Sequence, residues 1–320
     1  VLGMVSLPGF DPKNITEETL SDSGRPFWNR ATQSVYPPGS TFKIITTIAA
    51  LDHVENAAAR DDIECTGGLL VMDHAIRDYG QDIHGKLTMK RAFTVSCNNA
   101  YALLALTMGD DMLRRTAESF GFNDNFLFRD LVVENSSYPT TGRNQFEVAT
   151  SGMGQSAIVA SPLHMCMVAA AIANNGVMME PRLLQSVSSV EGQVRETLQS
   201  KVYRTATTPE NAAVLQDYMK AVVKSGTGRK AAVEGLDIRG KTGSAESSMD
   251  GQDVTHGWFV GYIADGELPY AVAVLVESIE DGQGGGSAAA PIAGKIFAYL
   301  KEHGAEEPSA PMAEPTAQPE

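Results

Sequence analysis

A chain of 320 residues with 43% hydrophobic and 20% charged side chains has the composition of an ordinary globular protein with room for a large core. Its formal net charge of −14, from 39 acidic against 25 basic residues, argues against nucleic acid as a partner, because phosphates require a basic surface. No apolar run reaches the roughly 18–20 residues needed to cross a bilayer; the best, Ala157 to Ala173, is broken by Ser161, Pro162 and His164.

Val1 to Ser6 reads as a strand ended by Pro8-Gly-Phe-Asp-Pro, and residues 12–39 are polar and turn-rich. Helical spacing follows in Thr41 to Val54, Thr88 to Thr107 and Asp110 to Phe120. Between the first two, Asp61 to Asp82 reads as irregular, with Cys65-Thr-Gly-Gly-Leu-Leu-Val as a candidate short hairpin. Ser161-Pro162 starts a core helix, with Ser as N-cap and Pro at the first helical position. Pro209 to Ser225, capped by Thr208, is a further helix. Arg239 to Glu246, Thr255 to Ala264 and Tyr270 to Ser278 read as consecutive antiparallel strands, and Ala288 to His303 as a last amphipathic helix. Ala305 to Glu320, rich in Pro, Ala and Glu, is disordered on composition.

Three short motifs carry chemistry. Ser40-Thr-Phe-Lys43 follows Tyr36-Pro-Pro-Gly, which stops any earlier helix, and opens the first helical stretch. Residues three apart share a helix face, so Lys43 can serve Ser40 as a base if its amine is neutral. Burial or a neighbouring cation would supply that neutrality. Read alone, Ser40 fits equally well as an N-cap, but a lysine in a first turn opposes the helix dipole. In Ser96-Cys-Asn98, the Ser96 hydroxyl suits proton relay and the Asn98 amide suits a substrate peptide group. In Lys241-Thr242-Gly243-Ser244, a cation and two hydroxyls suit a carboxylate, and Gly243 suits close approach of a substrate backbone. Each of the last two reads alone as a structural element, a polar cap or a strand leaving a turn.

The order Ser-x-x-Lys, Ser-x-Asn, Lys-Thr-Gly resembles the penicillin-binding protein and serine β-lactamase superfamily. Asn29-Arg30 with Tyr36-Pro-Pro-Gly-Ser-Thr-Phe-Lys, His84-Gly85, Gly152-Met-Gly-Gln-Ser with Ala160-Ser-Pro, Gly257-Trp-Phe-Val-Gly-Tyr and Gly285-Gly-Ser-Ala-Ala-Ala-Pro resemble its class B, monofunctional transpeptidases. The resemblance covers about residues 1–300 in family order. It implies an α+β fold: an antiparallel five-stranded-type sheet flanked by helices, with an all-helical lobe, about 40–175, inserted between sheet parts from both chain ends. Residues 1–304 would form the transpeptidase domain and 305–320 a tail.

The implied activity is cross-linking of peptidoglycan stem peptides through a Ser40 acyl-enzyme, which β-lactam antibiotics would also form. Ser40, Lys43 and Ser96 would be catalytic; Asn98, Lys241, Thr242, Gly243 and Ser244 would bind substrate; the Ser40 and Ser244 N–H groups would form an oxyanion hole. No cofactor or metal is implied. Rival readings are a D,D-carboxypeptidase, a class D-like serine β-lactamase and a non-catalytic β-lactam sensor. A class A β-lactamase would need a Glu-x-x-Leu-Asn loop between the second and third motifs, and none is present. Class B members carry an N-terminal membrane anchor and a non-catalytic region. The resemblance therefore implies a fragment from the extracytoplasmic face of the bacterial plasma membrane, whose missing N-terminal part would recruit cell-wall synthesis partners.

Cys65, Cys97 and Cys166 lie in no zinc-finger spacing, and the six histidines form no helical metal pair. Cys97 reads as a small buried filler, His256 as a strand-end residue facing the cleft, and Trp258 and Tyr262 as core or cleft wall.

Overall fold

The computed structural model describes residues 1–304 apart from Asp250 and Asp265; the tail expected at 305–320 lies outside the described residues. Residues 1–29 run largely extended over the surface, with one short capped helix, α1 (Glu17–Ser21), and α2 (Arg30–Gln33) leads to the first motif. Val1 to Ser6 is not a strand. Its apolar side chains Val1, Leu2 and Val5 are exposed, and the Val1 amino group donates to Arg182 O at 2.8 Å. Strand-prone composition alone forms no strand without a neighbour's backbone to pair with.

A 3₁₀ turn, Gly39–Phe42, runs into α3 (Lys43–His53). Its residues 43–50 are all buried, and the polar ones among them, Lys43, Thr46 and Thr47, each find a hydrogen-bond partner. Four short strands follow: β1 (Ile63–Cys65), β2 (Gly68–Val71), β3 (His74–Arg77) and β4 (Gly85–Leu87). β2 and β3 form a tight hairpin through Met72 and Asp73, both at positive φ, and β1 pairs antiparallel with β4, Cys65 opposite Gly85. The lobe after Ser40 is therefore mixed rather than all-helical.

The Thr88 to Thr107 stretch is two helices, α4 (Met89–Val95) and α5 (Asn98–Met108). The break lies at Ser96, whose φ of +62° is left-handed. There the Ser96 N–H bonds Phe93 O and the Cys97 N–H bonds Ala92 O, closing α4, while Cys97 Sγ accepts from Ala100 N to cap α5. α6 (Asp110–Ser119), α7 (Gln145–Ser151) and α8 (Pro162–Ala173) complete the lobe, with Ser161 capping α8 as expected. β5 (Val177–Met179) then pairs with β8 (Val202–Thr205), and β6 (Ser186–Ser188) with β7 (Val194–Thr197). α9 (Pro209–Ser225) has the Thr208 cap and Pro209 start read from sequence.

The main sheet is β9 (Ile238–Met249), β10 (Gln252–Ile263) and β11 (Ala271–Val276), antiparallel in the order β11-β10-β9, with Gly243 opposite Trp258. Three strands stand among the described residues where five were implied, since the N-terminal segment adds none. β10 buries both faces. Trp258, Val260 and Tyr262 join the core shared with α3, α8 and α9, whereas Phe259 and Ile263 pack with Ala293 and Phe297 of α10 (Ala289–His303). That explains a continuous apolar run in place of an alternating one. No described helix is long and apolar enough to cross a membrane.

Candidate active site

The lead-in to α3 is fixed from several sides. Tyr36 pairs through its backbone with Ala160, and its hydroxyl donates to Glu277 Oε1 at 2.6 Å. The Trp258 indole N–H donates to Pro37 O at 3.0 Å. Gly39, at φ +52°, donates to Gly154 O, and a Cβ there would lie 2.5 Å from Ser244 O. Only glycine allows this turn to lie so close to β9. Ser40 is thereby set into an open cleft of about 1000 Å³, which Ser96, Asn98, Thr242, Gly243 and Ser244 also line. Lys43 and Lys241 are fully buried beside it.

The two amines converge on one hydroxyl. Lys43 Nζ donates to Ser96 O at 2.6 Å, Asn98 Oδ1 at 2.8 Å and Ser96 Oγ at 3.2 Å. Lys241 Nζ donates to the same Ser96 Oγ at 2.9 Å and to Thr242 O at 2.9 Å. Aromatic faces complete the surroundings, Tyr101 5.1 Å from Lys43 Nζ and Phe93 5.6 Å from Lys241 Nζ. Burial pulls the Lys43 ammonium down to about 7, although Asp78 nearby favours its charge. Burial, and then the charge of Lys43, push Lys241 well below the ordinary lysine range. Two cations in one dry pocket repel, so the site readily holds one positive charge and one neutral amine.

That arrangement suits Ser96 to act as a proton conduit. A hydroxyl offers one donor and two acceptor positions. Ser96 Oγ can accept from whichever amine carries the charge and turn its own proton to the lone pair of the other. Ser40 Oγ makes no hydrogen bond among the described residues, which leaves it free to meet an incoming group in the cleft.

Other placements differ from what the sequence suggests. The space beside Gly243 is used by the protein itself: a Cβ there would lie 2.9 Å from Pro38 O and 3.1 Å from Thr41 N. Its missing side chain admits the Ser40 turn rather than a substrate backbone. Asn98 already spends one lone pair on Lys43, and its amide nitrogen donates to Arg77 O at 2.8 Å, so one N–H and one lone pair remain. His256 does not face the cleft. It is buried edge-on against Tyr36, 5.3 Å between rings, and accepts from Ser278 N at 3.3 Å. Burial lowers its pKa, while Glu277 opposes the shift. Trp258 and Tyr262 lie in the core, as expected.

Sequence reasoning misses Thr227, whose hydroxyl lies 2.5 Å from that of Thr242, and reads the Gly285-Gly stretch only as a family mark without placing its loop at the site, where Gly285 N donates to Ser244 Oγ at 3.2 Å. Both were signalled by glycine. Gly226-Thr-Gly228 and Gly284-Gly-Gly286 mark places where the backbone passes tightly against the Lys241 strand and its neighbours.

The profile of the family described as the penicillin binding protein transpeptidase domain matches residues 1–298. The chain is similar to peptidoglycan D,D-transpeptidase PbpA of Mycolicibacterium smegmatis, 34% identical over 326 residues, covering 94% of this chain and 65% of that one. It is also similar to PbpA of Mycobacterium tuberculosis, 32% identical over 313 residues, covering 91% and 62%. The chain thus spans a little under two thirds of the length of these curated relatives. Among solved structures, penicillin-binding protein A of M. tuberculosis in a ceftriaxone acyl-enzyme complex superposes with a TM-score of 0.82 at 30% identity, covering 92% of this chain and 70% of that one. The D,D-transpeptidase domain of an Eggerthella lenta peptidoglycan glycosyltransferase gives 0.79 at 30% identity, covering 90% and 70%. The chain belongs to the penicillin-binding protein transpeptidase domain family.

Proposed function

We propose that residues 1–304 form one transpeptidase domain that cross-links peptidoglycan stem peptides by serine acyl transfer. The carrying observation is the Lys43–Ser96–Lys241 chain beside Ser40: a buried amine held near neutrality, joined through one hydroxyl to a second. Ser40 Oγ attacks the carbonyl of the penultimate D-Ala of a stem pentapeptide. Lys43 takes the Ser40 proton, and Ser96 passes a proton to the departing D-Ala amine. An amine of a neighbouring stem peptide then attacks the ester and regenerates Ser40. The N–H groups of Ser40 and Ser244 stabilise the oxyanion, each donor contributing about 3 kcal/mol. Thr242, Ser244 and the Lys241 charge hold the substrate carboxylate, and the free N–H and lone pair of Asn98 hold its peptide group.

The names of the relatives support the reaction, and the acyl-enzyme complex of the mycobacterial protein supports β-lactams as alternative acyl donors. The substrate places the domain on the extracytoplasmic face of a bacterial plasma membrane, held there by a preceding anchor segment through which cell-wall synthesis partners would bind. Intact-mass measurement after penicillin exposure, with peptide mapping, tests the nucleophile. One adduct on Ser40, absent from Ser40→Ala, is expected; unchanged labelling of Ser40→Ala refutes the assignment. Stem pentapeptide with an acceptor amine should give cross-linked product and free D-Ala.

A further inference from the structure

Behind Asn98 lies a cluster that acyl transfer does not use. Cys65 ends β1, Asp78 follows β3, His84 precedes β4, and Cys97 sits between α4 and α5, yet their donor atoms all lie within 4.8 Å of one another. Cys65 Sγ is 2.9 Å from Asp78 Oδ2 and 3.3 Å from His84 Nδ1. His84 Nδ1 is 3.5 Å, and Cys97 Sγ 3.3 Å, from the same Asp78 oxygen. Cys65, Asp78 and Cys97 are buried, and Asp78 and His84 reach the lining of the cleft. Sequence spacing predicts no metal here. The β1–β4 pairing and the Ser96 turn bring the four together across 32 positions of chain, in no finger-like pattern.

We infer that Cys65, Asp78, His84 and Cys97 bind one Zn²⁺ ion as a closed structural site. A tetrahedral zinc with bonds of about 2.0–2.3 Å separates its donors by roughly 3.3–3.8 Å. Four of the donor pairs, at 2.9 to 3.5 Å, approach that size before any adjustment, and every pair lies within 4.8 Å. Two sulfurs and an imidazole nitrogen select zinc over magnesium or calcium, which prefer oxygen. Four protein donors leave no position for water, so the role is architectural rather than catalytic. Without a metal, a buried carboxylate oxygen would be met mainly by two thiols, which are weak donors. On binding, both thiols release their protons to solvent, and the +2 charge offsets two thiolates and a carboxylate.

The position gives the ion a task. Cys97 lies between Ser96 and Asn98, and the second Asp78 oxygen accepts the Asn98 backbone N–H. Zinc would therefore clamp the left-handed Ser96 turn from behind, while Lys43 holds it from the cleft side. The zinc site itself does not depend on the acyl-transfer reading; only this consequence for Ser96 does.

Zinc in the protein purified without chelator is to be counted by elemental mass spectrometry. About one ion per chain is expected, with Cys65 and Cys97 resisting alkylation until the protein is denatured. Replacement by Co²⁺ should give the visible bands of a tetrahedral site and a thiolate charge-transfer band, which Cys65→Ser lowers by about half. Because Cys97→Ser and His84→Ala also disturb packing, the wild-type protein serves as the second test: chelation should lower both Tm and the rate of penicillin acylation, and added Zn²⁺ should restore both. Ser40→Ala should keep its zinc, which separates failure of this site from failure of the nucleophile assignment. Substoichiometric metal with two alkylatable thiols, an octahedral cobalt spectrum, or an intact mass two hydrogens lighter from a Cys65–Cys97 disulfide would each overturn the inference.

Discussion

Lys43 and Lys241, 198 positions apart in sequence, donate to one and the same oxygen, Ser96 Oγ, at 3.2 and 2.9 Å. This shared acceptor makes Ser96 a sensitive polar position of the site. Ser96→Ala should lower the second-order rate of penicillin acylation by roughly 10²–10⁴-fold, the usual contribution of a proton-transfer group. An alanine at φ +62° keeps the roughly 1 kcal/mol of left-handed strain that Ser96 already bears. Ser96→Gly removes that strain along with the hydroxyl, so an equal loss of acylation in both variants assigns the effect to the oxygen. Stopped-flow acylation kinetics measure it, and a Ser96→Gly enzyme of normal rate would contradict the conduit.

The pH profile follows from the state of Lys43. Only the neutral amine accepts the Ser40 proton, and burial sets its titration at about 7. Acylation should climb as pH rises through about 7 and level off above it. A profile flat from acid to alkaline pH would exclude Lys43 as the base. Lys43→Ala should lose activity about as completely as Ser40→Ala, because residues that act as one unit are not additive.

Gly243→Ala tests packing rather than chemistry. The new Cβ would press on Pro38 O and Thr41 N, both backbone atoms of the turn that carries Ser40. A loss of about 1–3 kcal/mol in urea unfolding is expected, the usual penalty for overfilling a tight contact. Labelling by a fluorescent penicillin should fall in parallel. A stable variant with normal labelling would show that the turn yields freely.

Acid stability should be limited by His164. It is buried against Phe122 and Phe126, its ring bonds only Phe120 O among the described residues, and burial lowers its pKa to about 4. Between about 6.5 and about 4 the unfolded chain binds a proton that the native ring refuses, so stability falls as pH drops through that window. The loss amounts to about 3 kcal/mol, at 1.36 kcal/mol per pH unit. His164→Gln should flatten this part of the curve in denaturant titrations. An unchanged slope would place the titrating group elsewhere.

Much of the fold was legible wherever local chemistry and tertiary context agree. Thr208-Pro209 and Ser161-Pro162 give the starts of α9 and α8 because cap and proline act through the nearest backbone groups. β10 and β11 are legible as apolar runs between turn residues, and the polar, glycine-containing β9 as the strand that precedes them. The break between α4 and α5 is not, because no glycine or proline marks it. Ser96 is held in a left-handed conformation by distant partners, Lys43 and Lys241, rather than by its own preference. Gly243 signals a close approach, but its sequence context does not say whose backbone comes near. His256 beside Gly257 reads from sequence as a cleft residue, and only the pairing of its strand with a neighbour on each side reveals it as core.

The polar chain beside Ser40 draws on α3, the Ser96 turn and β9, so no single segment contains a reactive serine. Contacts over such long separations form late in folding, after local helices have appeared. Covalent capture of penicillin thus reports that the helical half and the sheet have closed on each other. A collapsed intermediate with its helices intact would remain chemically silent, which makes labelling an assay of native tertiary closure in its own right.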